Sequence, residues 1–93
     1  MAQPSVFSQR LNEARRAGGF SQRSLGIAAG LDPFVASARI NRYEKGVHLP
    51  DIATAQRLAD ALKVPLPYLF AGDDGLAGMI LHYAEATSSK EPT

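Results

Sequence analysis

Residues Gln22 to Gly46 read QRSLGIAAGLDPFVASARINRYEKG, and this stretch decides the fold. Ser21 stands just before it as an N-cap, since a serine hydroxyl can accept one of the backbone N–H groups left open at a helix start. Gly30 ends the helix that follows, at a position favouring a positive backbone angle. Gly26 lies inside that helix, where glycine costs about 1 kcal/mol relative to alanine. The cost is repaid if a neighbouring helix crosses too closely for a side chain. Asp32 and Pro33 then give a start signal, with Asp32 capping and Pro33 in the first helical position. The next helix is expected from Pro33 to about Lys45, with Val35 or Ala36, Ile40 and Tyr43 facing inward and Gly46 as its stop. Two short helices joined by a glycine turn form a helix-turn-helix.

Outward from this stretch the chain reads as helices throughout. Helix 1 is expected from Ser5, its N-cap, to about Ala17, with Val6 or Phe7, Leu11 and Ala14 on one face. Gly18 and Gly19 end it, and Phe20 plugs the gap before helix 2. After the connection Val47-His48-Leu49-Pro50, Asp51 caps a fourth helix whose inner stripe is Ile52, Ala55, Leu58, Ala59 and Leu62. VPLPYLF, residues 64–70, reads as a turn and a short fifth helix, with Leu66, Leu69 and Phe70 closing the core. GDDG, residues 72–75, is a breaker. A last helix from Leu76 to about Ala86 carries Leu76, Met79, Ile80 and Tyr83 on one face. That stripe either packs back on the domain or pairs with a second copy. The expected organisation is therefore a domain over 1–71, a linker and C-terminal helix over 72–87 as a possible dimerisation element, and a disordered polar tail over 88–93.

Composition narrows the function. With 93 residues the chain supports one small core, which argues against a multi-step enzyme with a deep cleft. The absence of cysteine removes disulfides and thiolate metal sites, and two histidines are too few for a zinc cluster, so no metal or cofactor is expected. No apolar run approaches the roughly 20 residues that span a bilayer, and no secretory signal is visible, so the expected location is cytoplasmic with no membrane partner. The net charge of +1 conceals an asymmetry. Residues 1–50 carry seven basic and three acidic side chains, whereas residues 51–93 carry three basic and six acidic. The first half thus offers the local positive potential that a phosphate-binding surface needs.

Taken together, Gln22, the small residue at 26, Gly30, the apolar residues of ARINRYEKG, the PDIATAQRLADAL helix and the VPLPYLF ending resemble the lambda-repressor-like, or XRE, family of bacterial and phage regulators. The resemblance covers about Val6 to Phe70. It implies an all-α, five-helix DNA-binding domain with helices 2 and 3 as the helix-turn-helix, here followed by a short C-terminal helix. It also implies an internal ion pair between Arg15 and Glu44. One feature departs from the family: the apolar residue of the recognition helix lies four positions nearer the turn glycine than Ile40 lies to Gly30. Four residues make one helical turn, so the face of later side chains is preserved. Pro33 to Ala36 either extends the recognition helix or lengthens the loop.

Candidate DNA contacts divide into phosphate and base contacts. At the start of helix 2, Ser21, Gln22 and Arg23 supply donors suited to phosphate, and Lys45 and His48 flank the other side. The resemblance points to Ser37, Ala38, Asn41 and Arg42 as the base-reading face, with Arg39 for bases or phosphate. Arginine and asparagine can each make paired hydrogen bonds to guanine and adenine. Phe34 and Val35 would touch thymine methyls if exposed, and would be core residues if not. The leading expectation is a sequence-specific transcriptional regulator, a repressor that binds double-stranded DNA as a homodimer on a two-fold operator. The alternative is an antitoxin or protein-binding adaptor, in which the Leu76 to Tyr83 stripe grips another protein. A hydrolase using Asp73, Asp74 and His82 ranks last, because these residues sit at a breaker and on a surface helix without an evident pocket. No small-molecule ligand is expected.

Overall fold

The structure, a computed structural model, describes residues 5–89. Five α-helices occur among them: α1 (Val6–Ala17), α2 (Gln22–Ala28), α3 (Ala36–Glu44), α4 (Ile52–Leu62) and α5 (Asp74–Ser89). A 3-10 helix, Leu66–Phe70, lies between α4 and α5 and is the expected fifth helix of the domain in a tighter form. The described residues contain no strand. This is the all-α, lambda-repressor-like arrangement, with α2 and α3 as the helix-turn-helix.

Side-chain caps start α1, α2 and α4. The Ser5 hydroxyl accepts from Ser8 N–H, Ser21 and Ser24 form a reciprocal capping box, and Asp51 Oδ1 accepts from Thr54 N–H at 2.8 Å. Gly19, Gly30 and Gly46 take positive φ at the ends of α1, α2 and α3. The core gathers Phe7, Leu11, Leu25, Ile40, Leu58 and Leu69, all essentially inaccessible, with Tyr43 and Tyr68 close beside them. Of the paired options in the sequence, Phe7 is buried and Val6 exposed, and Ala36 is buried while Val35 is exposed.

Several expectations are corrected. α3 begins at Ala36, not Pro33, and Pro33–Val35 form a turn. Asp32 caps that turn instead of the helix: its Oδ1 accepts from Phe34 N–H, two residues on, at 2.8 Å, and its carbonyl accepts from Val35 N–H at 3.0 Å. Ile52 is 71% exposed, because the first residue of α4 precedes the point where the helix meets the core, and Thr54 is buried in its stead. Phe70 is half-exposed and rests tilted on Phe7, ring centroids 5.3 Å apart, while Tyr68 takes the inward place. The GDDG segment starts a helix: Asp73 Oδ1 accepts from Leu76 N–H at 2.9 Å, so the sequence that reads as a breaker acts as a cap.

α5 meets the core through Ala77, with Ile80 and Leu81 partly buried behind it. These positions, three and four apart, define the inward face. Leu76, Met79 and Tyr83 remain exposed. α5 continues through residues 87–89, and the rest of the expected polar tail, residues 90–93, lies outside the described residues.

Candidate nucleic-acid interface

The geometry of α3 follows from its two faces. Ala36, Ile40 and Tyr43 are buried, and on the opposite side Ser37, Ala38, Arg42 and Lys45 are exposed with Asn41 half-buried among them. Residues 37, 38, 41, 42 and 45 fall on one helical face because their spacings are one, three and four. The helix is pressed against α2 at Gly26, where an added Cβ would meet Ala36 Cβ at 2.6 Å.

A buried ionic group holds the far end of α3. Arg15 Nε donates to Glu44 Oε2 and Arg15 Nη2 to Oε1 at 3.2 Å, while Arg15 Nη1 donates to the Phe20 carbonyl at 3.0 Å. The two side chains are 13% and 6% exposed. Asn12 Nδ2 and Gln22 Nε2 also donate to Glu44 Oε1, at 2.9 and 3.2 Å. Burial pushes the Glu44 carboxyl pKa upward, but the hydrogen bonds from Arg15, Asn12 and Gln22 outweigh it and leave the value below that of an ordinary carboxylate. The group thus stays ionised and ties α1, α2 and α3 together.

The remaining candidates spread around α3. Ser21 and Arg23 are exposed at the start of α2, and Gln22 is half-buried and engaged with Glu44. Phe34 is 99% exposed in the turn before α3. Arg39 is half-buried and folds back along its helix, its Nε and Nη2 donating to Tyr43 Oη at 3.2 and 2.6 Å and its guanidinium 5.6 Å from the ring centroid. His48 is exposed in the loop after α3, beside Val47, whose N–H donates to the Arg42 carbonyl at 3.0 Å. The exposed residues of the turn and of α3 are interrupted by buried Ala36 and Ile40, and Gln22 at the start of α2 meets Glu44, next to the 45–48 segment at the end of α3.

Three supporting residues are absent from the sequence reading. Arg57 reaches from α4 to the end of α2, its Nε donating to the Ala29 carbonyl at 2.9 Å and its Nη2 to Thr54 Oγ1 at 3.1 Å. An α-helix leaves its last carbonyls unpaired, and Arg57 satisfies one of them beside the turn glycine. Asn12 completes the shell of Glu44. Arg10, buried on α1, donates to the Ala71 carbonyl at 2.8 Å, to Glu13 at 3.0 Å and to Asp74 at 2.9 Å. Only Arg10 had a signal, because it lies three residues from Phe7 and four from Ala14, on the inner face of α1.

Among the described residues no group of three or more His, Cys, Asp or Glu comes together. No described helix is long and apolar enough to cross a membrane.

Helices packed around one core, with α3 laid across α2 and its outer face polar and basic, define a DNA-binding domain of the lambda-repressor-like, XRE type. The family described as "Helix-turn-helix" matches residues 11–69, and the chain belongs to it. Among solved structures it is similar to the transcriptional regulator BswR, with 44% identity and a TM-score of 0.79 over 83% of this chain and 76% of that one. It is also similar to the restriction-modification controller protein C.AhdI from Aeromonas hydrophila, with 34% identity and a TM-score of 0.62 over 70% of this chain and 92% of that one. A comparison with curated proteins gives no match. Family and neighbours together make this a DNA-binding transcriptional regulator.

Proposed function

We propose that the protein is a cytoplasmic repressor that binds a two-fold operator as a homodimer, with α3 in the major groove. The observation that carries this reading is the division of α3 into a buried apolar face and an exposed face bearing Ser37, Ala38, Asn41, Arg42 and Lys45. A recognition helix needs its base-facing side chains free and its opposite face anchored. In this reading Ser37, Ala38, Asn41 and Arg42 contact base edges, and Arg42 and Asn41 make the paired hydrogen bonds that distinguish guanine and adenine. Ser21, Gln22 and Arg23 contact phosphate on one flank, with Lys45 and His48 on the other. Gln22 also orients Glu44, so its side chain joins the phosphate contact to the core. Arg39, freed from Tyr43, reaches the backbone or an outer base. Phe34 leads the helix into the groove.

Pairing follows from the small size of the reading face. One α3 contacts only a few base pairs, and a second copy one helical turn away doubles the contacts. The similarity to BswR and to C.AhdI supports transcriptional control. Selection of bound duplexes from a random pool tests the reading. The expected result is a palindromic consensus whose half-site centres lie about 10–10.5 base pairs apart. Recovery of unenriched sequence would sink it.

A second reading has its own observation. Leu76, Met79, Ile80 and Tyr83 line an apolar groove of about 440 Å³ with Pro65 and Pro67, and most of these side chains are exposed. A different protein seated there would make the chain an antitoxin or adaptor that uses the same domain. Sedimentation of the pure protein and of a groove variant separates the two, since a second copy seated in the groove makes a dimer that the variant loses.

A further inference from the structure

We propose that Phe34 is a specificity-determining residue that reads the methyl group of a thymine at the edge of each half-site. The proposal rests on the reading of α3 as a major-groove helix and assigns a base to a residue outside the helix proper. Among the described residues Phe34 is the most exposed large apolar side chain, at 99%. Its ring supports nothing in the fold, yet its backbone is firmly held. Pro33 fixes the preceding φ, Asp32 Oδ1 accepts from Phe34 N–H at 2.8 Å, and the Asp32 carbonyl accepts from Val35 N–H at 3.0 Å. Val35 is the N-cap residue of α3, so the ring sits one residue outside the helix entry.

That location narrows the partner. The N-terminal residues of a recognition helix lie nearest the base edges. A phenyl ring offers no hydrogen bond to a phosphate or to a base edge. The one apolar group a base pair displays in the major groove is the thymine C5-methyl. The Asp32 carboxylate accepts the Phe34 amide and is thereby fixed against the backbone of its own turn. Residues 33–35 form the turn that enters α3, so Phe34 and Val35 add exposed apolar surface just ahead of Ser37 and Ala38.

The test uses the full chain and the duplex selected from the random pool. Each thymine is replaced in turn by uracil, which removes only the methyl. One position per half-site is expected to lower wild-type affinity about fourfold, the value of one buried methyl-sized group. Phe34→Ala is expected to bind the thymine duplex more weakly, to lose the distinction between thymine and uracil there, and to keep the wild-type melting temperature and salt dependence, because no core or phosphate contact is removed. If Phe34→Ala binds both duplexes with the wild-type pattern, the proposal is overturned and the ring is free for a protein partner. If the wild-type protein enriches no duplex at all, the reading of α3 fails first, and this proposal with it.

Discussion

A Cβ added to Gly26 would stand 2.6 Å from the Cβ of Ala36 and 3.0 Å from its Cα, so α2 and α3 cross with no room for even a methyl group. Gly26→Ala gains about 1 kcal/mol of helix propensity but forces the crossing apart, and overpacking of this kind costs about 1–3 kcal/mol. Because the obstructing atoms include backbone, the loss is expected to win. Urea unfolding should show a lower midpoint for Gly26→Ala. Ala36→Gly in the same chain should restore part of it, giving a favourable coupling in a double-mutant cycle. Additive losses would mean that the two residues do not limit one another.

Breaking the Arg15–Glu44 pair should destabilise the fold more than any surface change. With both side chains nearly buried, Arg15→Ala leaves a carboxylate held only by Asn12 and Gln22, and removal of one partner of a buried pair costs about 3–5 kcal/mol. Thermal melting checks it, and an unchanged midpoint would show that the pair contributes nothing. The pH dependence has a definite sign. The folded Glu44 pKa is lowered from the ordinary 4.5, so its contribution is complete above that value and is lost as pH falls through the lower folded value. Asp51, held low by the Thr54 backbone N–H and then by its side chain, acts in the same direction. Wild-type stability should therefore decline below about pH 4.5, where Glu44→Gln, less stable at neutral pH, should show a shallower decline.

Lys63 closes α4 in a left-handed conformation, with φ 60° and ψ 39°, a place where glycine carries no steric penalty. It is exposed, so no packing is lost when its side chain is removed. Lys63→Gly is expected to stabilise the domain by roughly 0.5–1 kcal/mol after the entropy of a freer unfolded chain is counted. For a domain of this size that is a rise of several degrees in Tm. A fall in Tm would show that Lys63 makes a compensating contribution through its side chain.

The helix-turn-helix was legible in the sequence because its punctuation is local: Ser21, Gly26 and Gly30 each do one physical job that their residue types announce. The start of α3 was not, since Asp32-Pro33 reads alike as a helix cap or as a turn. What decides is whether the carboxylate takes the amide two or three residues on, and it takes Phe34 N–H. Arg57 was illegible for a different reason. It is a long side chain on α4, and its acceptor, the Ala29 carbonyl, is 28 residues away, so only the packed fold brings them together. The outer face of α3 was read from resemblance and periodicity together, because polar residues alone do not distinguish a solvated face from a DNA-facing one.

Arg42 and Lys45 both stand on the exposed face of α3, and their chemistry separates their expected effects. Arg42→Ala should relax base preference at one position and lose about 1–3 kcal/mol of discrimination there. Lys45→Ala should weaken all sequences alike and reduce the slope of log affinity against log salt by about 1. Titration of the selected consensus and its single-base variants at several salt concentrations measures both. An unaltered consensus for Arg42→Ala would remove it from the base-reading set.

The α5 groove gives the last prediction, because it joins assembly to DNA affinity. Met79 and Tyr83 are exposed on α5, and the helix is held from the other side by Ala77 and at its start by Arg10 on Asp74. A charge placed at Met79 therefore meets no core residue, and Met79→Glu should leave the folded monomer intact. If the groove is the self-association surface, the charge must be desolvated on pairing, and that cost shifts the equilibrium to monomer. Sedimentation should then show a single chain, the palindromic operator should bind far more weakly, and an isolated half-site should bind as the wild type does. Loss of half-site binding as well would mean that the variant had damaged the domain. A persistent dimer with full operator affinity would move the interface elsewhere and leave the groove to a different protein.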